Sequence, residues 1–182
     1  GEHLWMNYVR GSGSCAVKAM TFDKNNNLYV AGSFSQKAFF DPNGLNDTLT
    51  ASGSDDIYIA KFDSLGNYKW AFNIGGNSAT SGYDLAVKLK CVNDRIYLIG
   101  NVFGTVDFNP SATSNTLVSV GGMNDFVACY DTAGAYVFAY PFLGKLYLGK
   151  LCNIIVVLSG SVCWKGVWGL GVGGWGFGVW GL

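Results

Sequence analysis

The chain matches itself at one constant displacement of 68 residues, and this internal repeat limits its fold more than any other feature. Residues 16–76 align with residues 84–144 without a gap, and 14 of the 61 aligned pairs are identical. Typical residue frequencies would give about 4 identities by chance. A fixed period of this kind is typical of stacked supersecondary units, each of which needs similar neighbours to bury its apolar face. The sequence therefore contains two copies of one unit.

Each copy has the pattern of four short strands. Leu28–Gly32 and Ile57–Phe62 are rich in β-branched and aromatic residues and are bounded by turn residues, as strands are. No window in residues 1–144 has a helical apolar period. The strands are predicted at 15–22, 27–34, 56–63 and 68–74, and again at 84–90, 95–102, 124–131 and 136–142.

The connections predict hairpins. Residues 23–27 and 63–67 begin with Asp, which bonds its own backbone in turns, and contain Asn or Gly, which accept positive φ. The stretch 35–55 is long for a hairpin, and an extra strand pair is predicted near 38–40 and 48–51. Four antiparallel strands joined by tight hairpins are typical of a β-propeller blade. The predicted fold is therefore all-β, with two tandem four-stranded antiparallel blades.

The blades are placed at about 5–76 and 77–144. A propeller closes with about 4–8 blades, so the prediction is an open, incomplete propeller whose expected partners include further blades of a parent chain. We interpret residues 1–5, which lack the features of a signal peptide, as an internal cut in that parent or as a processed end. The structural repeat positions are Tyr29, Gly32, Pro42, Gly53, Asp63, Gly66 and Trp70 in the first copy, and Tyr97, Gly100, Pro110, Gly121, Asp131 and Gly134 in the second.

Residues 145–182 depart from the pattern. All twelve acidic residues lie at or before Asp131, and four of the six tryptophans lie within 164–180. We expect an irregular, hydrophobic, Gly- and Trp-rich low-complexity tail. A translated frameshift, a membrane-associating segment and a degenerate third blade are the open interpretations. A membrane span is the weakest, because the apolar run Ile154–Leu158 is far shorter than the roughly 18–20 residues of a spanning helix.

The residue types argue against catalysis. His3 is the single histidine, so Ser-His-Asp chemistry has no internal base. The five cysteines are odd in number and none has CxxC spacing, which predicts neither a zinc site nor a disulfide framework. The net charge of zero argues against nucleic acid as a partner. The sequence predicts no catalytic residue, no cofactor-binding residue and no enzyme.

Calcium is the one metal that the sequence allows. Asp41, Asn43, Asp107 and Asn109 could supply part of the six to eight oxygen ligands that calcium takes from loops. No EF-hand loop is present. Capping of turns by aspartate is the alternative interpretation of the same residues.

The combined pattern resembles the bacterial SBBP-type β-propeller repeats. The resemblance covers about 1–144 and implies a propeller fold, an extracellular setting and no enzymatic activity. Such repeats occur in large secreted or surface proteins, notably of Bacteroidetes, often beside a C-terminal secretion-sorting domain. Residues 60–70 also resemble the docking motif of quinoprotein-type propellers, which implies a packing role for Trp70. The matching segments are Asn27–Phe34, Phe40–Pro42, Ser52–Asp63 and Gly66–Ala71, then Ile96–Gly100, Val106–Pro110 and Asp125–Ala128.

The expected function is that of a non-catalytic propeller segment in a secreted or cell-surface protein, acting as a scaffold or in adhesion and binding of a protein or carbohydrate ligand. Two alternatives stay open. One is a fragment of a carbohydrate-active propeller enzyme, with Asp56 or Asp107 contributing a carboxylate. The other is a calcium-stabilised binding module.

Overall fold

A computed structural model describes residues 5–41, 48–76, 83–111, 114–142, 155–158 and 161–164. The chain divides into two compact units, Gly1–Leu146 and Tyr147–Leu182. Within the described ranges the regular elements are all strands. In chain order they are β1 (Arg10–Gly11), β2 (Cys15–Phe22), β3 (Leu28–Phe34), β4 (Lys37–Phe39), β5 (Thr48–Thr50), β6 (Asp56–Phe62), β7 (Tyr68–Ile74), β8 (Leu85–Val92), β9 (Arg95–Asp107), β10 (Thr116–Asp131), β11 (Tyr136–Phe142), β12 (Ile155–Leu158) and β13 (Ser161–Trp164).

Two four-stranded antiparallel sheets form most of the first unit. Sheet 1 has the order β2-β3-β6-β7, and sheet 2 has the order β8-β9-β10-β11. The pairing of the central strands repeats at the sequence displacement, because Leu28 pairs with Phe62 and Ile96 pairs with Tyr130. The predicted fold class, all-β with tandem four-stranded antiparallel sheets, is confirmed.

The long connection within each copy carries the predicted extra strand pair. In the first copy β4 and β5 pair with each other, and β4 also pairs with β1, which gives a separate three-stranded sheet. In the second copy the same ladder is built into β9 and β10. The equivalence is direct, because Phe39 pairs with Thr48 and Asp107 pairs with Thr116.

The expectation of an ungapped repeat is wrong in the first strand of each sheet. Gly32 pairs with Val17, but Gly100 pairs with Ala86. The repeat spacing from β2 to β8 is therefore one residue longer than the 68 residues that separate the other equivalent strands. The turn before β9 is shorter and consists of Asn93 and Asp94, with φ of 50° and 58°. Two residues of positive φ are typical of a type I′ hairpin turn.

The two sheets share one apolar core. Phe72 of sheet 1 and Tyr130 of sheet 2 lie with ring centroids 4.9 Å apart. The opposite face of sheet 1 buries a second cluster, against which Val9 and Leu49 pack. The core between the sheets includes Ile57, Ile59, Phe72 and Ile74 from sheet 1, and Leu89, Ile96, Leu98, Phe126 and Tyr130 from sheet 2; the second cluster includes Val30, Phe34, Phe40, Tyr58 and Phe62.

The second unit contains the pair β12 and β13. Ile155 pairs with Trp164 and Leu158 pairs with Ser161, so a short antiparallel hairpin lies in the tail that was expected to be irregular. The rest of the tail, together with His3, Pro42 and Asn43, lies outside the described residues.

Candidate functional site at the junction of the sheets

Trp70 lies where sheet 1 meets sheet 2. Its ring stacks on Phe72 with centroids 5.5 Å apart and tilts against Tyr29 at 6.0 Å. Its other neighbour is the turn before β11, where a Cβ added at Gly134 would lie 3.3 Å from the indole. Gly134 has a φ of +89°, which glycine adopts at little cost. The close fit of this turn against the indole therefore depends on glycine.

Lys61 joins sheet 1 to the same turn. Side chains alternate along a strand, so Lys61 points to the same face as Ile57 and Ile59, towards sheet 2. Its Nζ donates to the Thr132 carbonyl oxygen at 2.8 Å and lies 5.2 Å from the centre of the Tyr29 ring. Sequence reasoning missed this contact, although a lysine at an inward position of an alternating strand was the available signal.

The equivalent positions in sheet 2 hold different side chains. Cys129 replaces Lys61 and Phe138 replaces Trp70. Cys129 is buried, and burial raises the pKa of its thiol to about 11. Phe138 lies near Tyr97 and Tyr140, at 6.4 and 5.1 Å between ring centroids. The contacts that hold sheet 2 on sheet 1 are therefore specific to the first copy.

Three hairpin turns are stabilised by the same pattern of aspartate hydrogen bonds. In each turn the Oδ1 atom of the aspartate accepts the N–H groups of the residues two and four positions later, at 2.8–2.9 Å. The hydrogen bonds from Lys69 and Asn67 hold the pKa of Asp63 well below its usual range. The aspartates are Asp23, Asp63 and Asp131.

Buried acidic residues hold the connections at the start of β6 and just before β8. The Asp84 N–H donates to the Asp55 carbonyl oxygen at 3.2 Å, and Asp84 Oδ1 accepts the Phe103 N–H at 2.9 Å. Asp56 Oδ2 accepts the side-chain N–H of Asn73 at 2.8 Å. Asp56 Oδ1 is buried and has no hydrogen-bond partner in the described part of the chain.

Burial sets the electrostatics of these acids. It raises the pKa of Asp84 to about 7, against the lowering effect of the Phe103 N–H and with the help of nearby Asp56. Burial also raises the pKa of Asp56, against the hydrogen bonds from Ser52 and Asn73. An apolar environment disfavours the charged form of a carboxyl group. Asp84 therefore titrates near neutral pH at a structural contact.

The calcium candidates occupy turn positions. Asp107 Oδ1 accepts the N–H groups of Asn109 and Asn115 at 3.0 and 2.9 Å, and Asn109 Oδ1 accepts the Ser111 N–H at 3.0 Å. Asp41 lies just after β4, and Asn43 is not described. The ranges that the structure describes contain no group of three or more His, Cys, Asp or Glu residues arranged to hold a metal ion. Calcium binding stays a prediction.

The repeated glycines Gly32 and Gly100 lie opposite the first strands. A Cβ at these positions would meet the carbonyl oxygens of Ala16 and Leu85 at 1.9 and 2.3 Å. Tyr29 and Tyr97 are buried in the second strands. Gly53 precedes β6, Gly121 lies in β10 and Pro110 follows β9, whereas Pro42 is outside the described residues.

An open cleft of about 410 Å³ lies between the first hairpin of each sheet. Lys24 and Asp94 form an exposed ion pair across it at 2.7 Å, a type that typically contributes little to stability. The lining is mostly polar, which suits a small polar ligand better than an apolar one. The lining residues are Phe22, Asp23, Lys24, Cys91, Asn93 and Asp94.

Cys15, Cys91 and Cys129 are free thiols. Burial raises the pKa of Cys15 and of Cys91. Among the described residues there is no helix with the length and apolar character that a bilayer span requires.

The chain is similar to a protein described as the uncharacterized WD repeat-containing protein L264 of Acanthamoeba polyphaga mimivirus. The two are 25% identical over 111 residues, which is 58% of this chain and 8% of that protein. The chain therefore spans a small part of the length of the relative that it matches. No protein-family model matches the chain.

Proposed function

We propose that the two-sheet unit is a non-catalytic β-propeller repeat scaffold in a secreted or cell-surface bacterial protein of the SBBP type. The observation that carries the proposal is the packing of two sheets of matching register, with Trp70 and Lys61 of one reaching the last turn of the next. The WD repeat-containing relative supports a propeller-type repeat, because WD40 blades also consist of four strands. The resemblance of residues 1–144 to SBBP repeats supports the extracellular setting.

The use of the carboxylates supports a scaffold. Asp23, Asp63 and Asp131 each fix a hairpin turn, and Asp107 fixes the connection after β9. These hydrogen bonds go to backbone N–H groups of the chain itself. Carboxylates engaged in this way position the backbone and do not present a free acid and base pair to a substrate.

We place ligand binding at the edge where the connection before β6 meets the start of the second copy. Tyr83 forms a parallel bridge with Asp55 there, and its side chain is 50% exposed. An exposed aromatic ring can stack on a sugar or a peptide, and the carboxylate of the bridged residue Asp55 can accept a hydrogen bond from the same ligand. The proposed ligand is therefore a carbohydrate or protein at the cell surface.

The carbohydrate-active enzyme is the second candidate. Asp56 is 0% exposed and cannot touch a substrate in this arrangement, and Asp107 Oδ1 already accepts two backbone N–H groups. Asp84 has a pKa near 7, which suits a general acid, but it is 4% exposed. These positions favour the scaffold over the enzyme.

The test uses the full chain on immobilised glycans and cell-surface proteins, and on chromogenic glycosides in parallel. We expect binding without turnover, and we expect Tyr83→Ala to weaken binding at least about fivefold, a loss typical of one stacking contact. Tyr140→Ala is the matched control, because Tyr140 is 60% exposed and lies on sheet 2. Glycoside turnover that Asp107→Asn abolishes would overturn the proposal. Antibodies against the chain should label intact source cells without permeabilisation.

A further inference from the structure

Residues 5–9 lie against sheet 1 as an extended segment that pairs with no strand among the described residues. Their burial alternates, with Trp5, Asn7 and Val9 half-buried and Met6 and Tyr8 exposed at 84% and 49%. A period of two is typical of a β-strand with one face packed. The segment therefore has the side-chain pattern of a strand, although the strand neighbours are missing from the described residues.

The first contact of this segment repeats a contact between the two sheets. A Cβ added at Gly66 would lie 2.6 Å from the Trp5 ring, just as one at Gly134 would lie 3.3 Å from Trp70. The Trp5 Nε1 donates to the Ser64 carbonyl oxygen at 3.1 Å, whereas the equivalent Thr132 carbonyl accepts from Lys61. The Trp70 Nε1 is buried without a partner among the described residues, so it is the ring-to-glycine packing that repeats. Gly66 and Gly134 are the same position of the repeat. Trp5 therefore lies against sheet 1 as Trp70 lies against sheet 2.

A second contact repeats independently. Arg10 pairs antiparallel with Phe39, and Gly75 pairs antiparallel with Asp107. Phe39 and Asp107 are again one repeat apart, and Arg10 follows Trp5 by the same five residues that separate Gly75 from Trp70. Residues 5–10 thus occupy on sheet 1 the place that residues 70–75, which include most of β7, occupy on sheet 2.

The face of sheet 1 beside this segment is only partly covered. Met20 and Leu89 are equivalent by register, because Met20 pairs with Val30 and Leu89 pairs with Leu98. Leu89 is 5% exposed under sheet 1, but Met20 is 61% exposed and nearby Phe22 is 55% exposed. Exposed apolar groups on a face that is covered in the other copy indicate a docking surface.

We propose that residues 5–10 are the outermost strand of a further four-stranded blade, whose other three strands dock on the face of sheet 1 that carries Met20 and Phe22. This inference rests on the proposed scaffold function and names its partner. The occupant is a further blade of the same repeat, because Trp5 already fills the place of the tryptophan against Gly66. A second copy of the chain fits less well, since its sheet 2 presents Cys129 and Phe138 where Lys61 and Trp70 make the contacts.

The test supplies the three missing strands from the chain itself. An extended chain carries an extra copy of residues 12–69, with Met20→Leu in that copy alone, directly ahead of Trp5, so that Trp5 follows Lys69 as Trp70 does and the original Met20 is the one that is measured. Methionine oxidation by dilute hydrogen peroxide is followed by peptide mass spectrometry, because only exposed thioethers react readily. We expect Met20 to oxidise at least about tenfold more slowly in the extended chain than in the original chain. Met123, which is 41% exposed on sheet 2, should oxidise at the same rate in both.

A matched variant tests the docking face. Ile59 points from sheet 1 into the core shared with sheet 2, so Ile59→Lys in the added copy alone should restore fast oxidation of Met20. Equal Met20 rates in the extended and original chains would overturn the proposal, as would an added copy that stays unfolded, because docking is what should order it. Protection of Met20 in the original chain that grows with concentration would also overturn it, in favour of a second copy. None of these readouts depends on ligand binding, so the test is separate from that of the proposed function.

Discussion

Sheet 1 and sheet 2 share their strand order and central register but differ in what surrounds them. Lys61 and Trp70 of sheet 1 reach across to the turn of sheet 2, whereas sheet 2 has Cys129 and Phe138 at those positions. Met20 of sheet 1 is exposed, whereas Leu89, its counterpart in sheet 2, is buried. The difference teaches that the repeated residues build each sheet, and that the unrepeated residues decide which neighbour each sheet accepts.

The largest effect is expected from Trp70→Ala. The indole packs on Phe72, Tyr29 and the turn at Gly134, so its loss leaves a cavity between the sheets and should cost about 3 kcal/mol of unfolding free energy. Guanidinium denaturation measures the loss. Tyr140→Ala, at a 60% exposed position of sheet 2, should change stability by less than about 0.5 kcal/mol. Equal losses in the two variants would contradict the assignment of Trp70 to the junction.

Lys61→Met tests the polar contact between the sheets. The substitution keeps the length of the side chain but removes the hydrogen bond to the Thr132 carbonyl and the charge over Tyr29, at a cost of about 1–2 kcal/mol. Urea denaturation measures the loss of unfolding free energy. The control is Lys18→Met, because Lys18 is an exposed lysine on β2. A change no greater than that of the control would show that the lysine contact does not hold the sheets together.

Asp84→Asn tests the buried acid before β8 through its pH dependence. Between about pH 4 and pH 7 the unfolded chain has lost the Asp84 proton while the folded chain keeps it, because the folded pKa is raised to about 7. The folded state therefore binds more protons in this window. As the pH rises through it, the unfolding free energy of the wild type should fall by at most about 1.4 kcal/mol per pH unit. The asparagine variant keeps the acceptor for the Phe103 N–H and should lack this slope. Thermal melts of both proteins from pH 4 to pH 8 measure this dependence. If the melting temperatures of the two proteins changed equally with pH, Asp84 would not titrate in the way proposed.

The smallest effects distinguish the hairpin turns. Asp131→Ala removes the acceptor of two backbone N–H groups and should cost about 1 kcal/mol. Asp94→Gly, in the two-residue turn before β9, should be neutral or slightly stabilising because glycine favours a φ of 58°. Thermal melts of both variants compare the two kinds of turn. A larger loss at Asp94 than at Asp131 would reverse the ranking.

The sequence predicted the parts of the fold that depend on local pattern. Alternation and β-branched residues located the eight main strands and the small pair at β4 and β5, and the Asp-to-Gly turns at Asp63 and Asp131 followed from turn chemistry. The shorter turn before β9 escaped prediction, because the first strands carry no identities that would reveal a gap.

The contacts of the candidate site needed the folded chain. Thr132 is far from Lys61 in sequence, so only the packing of the sheets brings them together. In the sequence, Asp84 looks like a residue of an ordinary polar connection. Its burial follows from where β8 begins. The exposure of Met20 depends on what packs against sheet 1 in the folded chain, so the residue type alone does not indicate it.

The first strand of each sheet contains a β-bulge, at Lys18 in β2 and at Val87 in β8, opposite Gly32 and Gly100. Each of these strands is one of the two edge strands of its sheet. A regular edge offers a continuous row of backbone groups to any other chain, whereas a bulge interrupts that row and twists the strand away. The irregularity therefore acts as a safeguard against edge-to-edge aggregation, and a substitution that straightened β2 would be expected to make the chain prone to forming fibres.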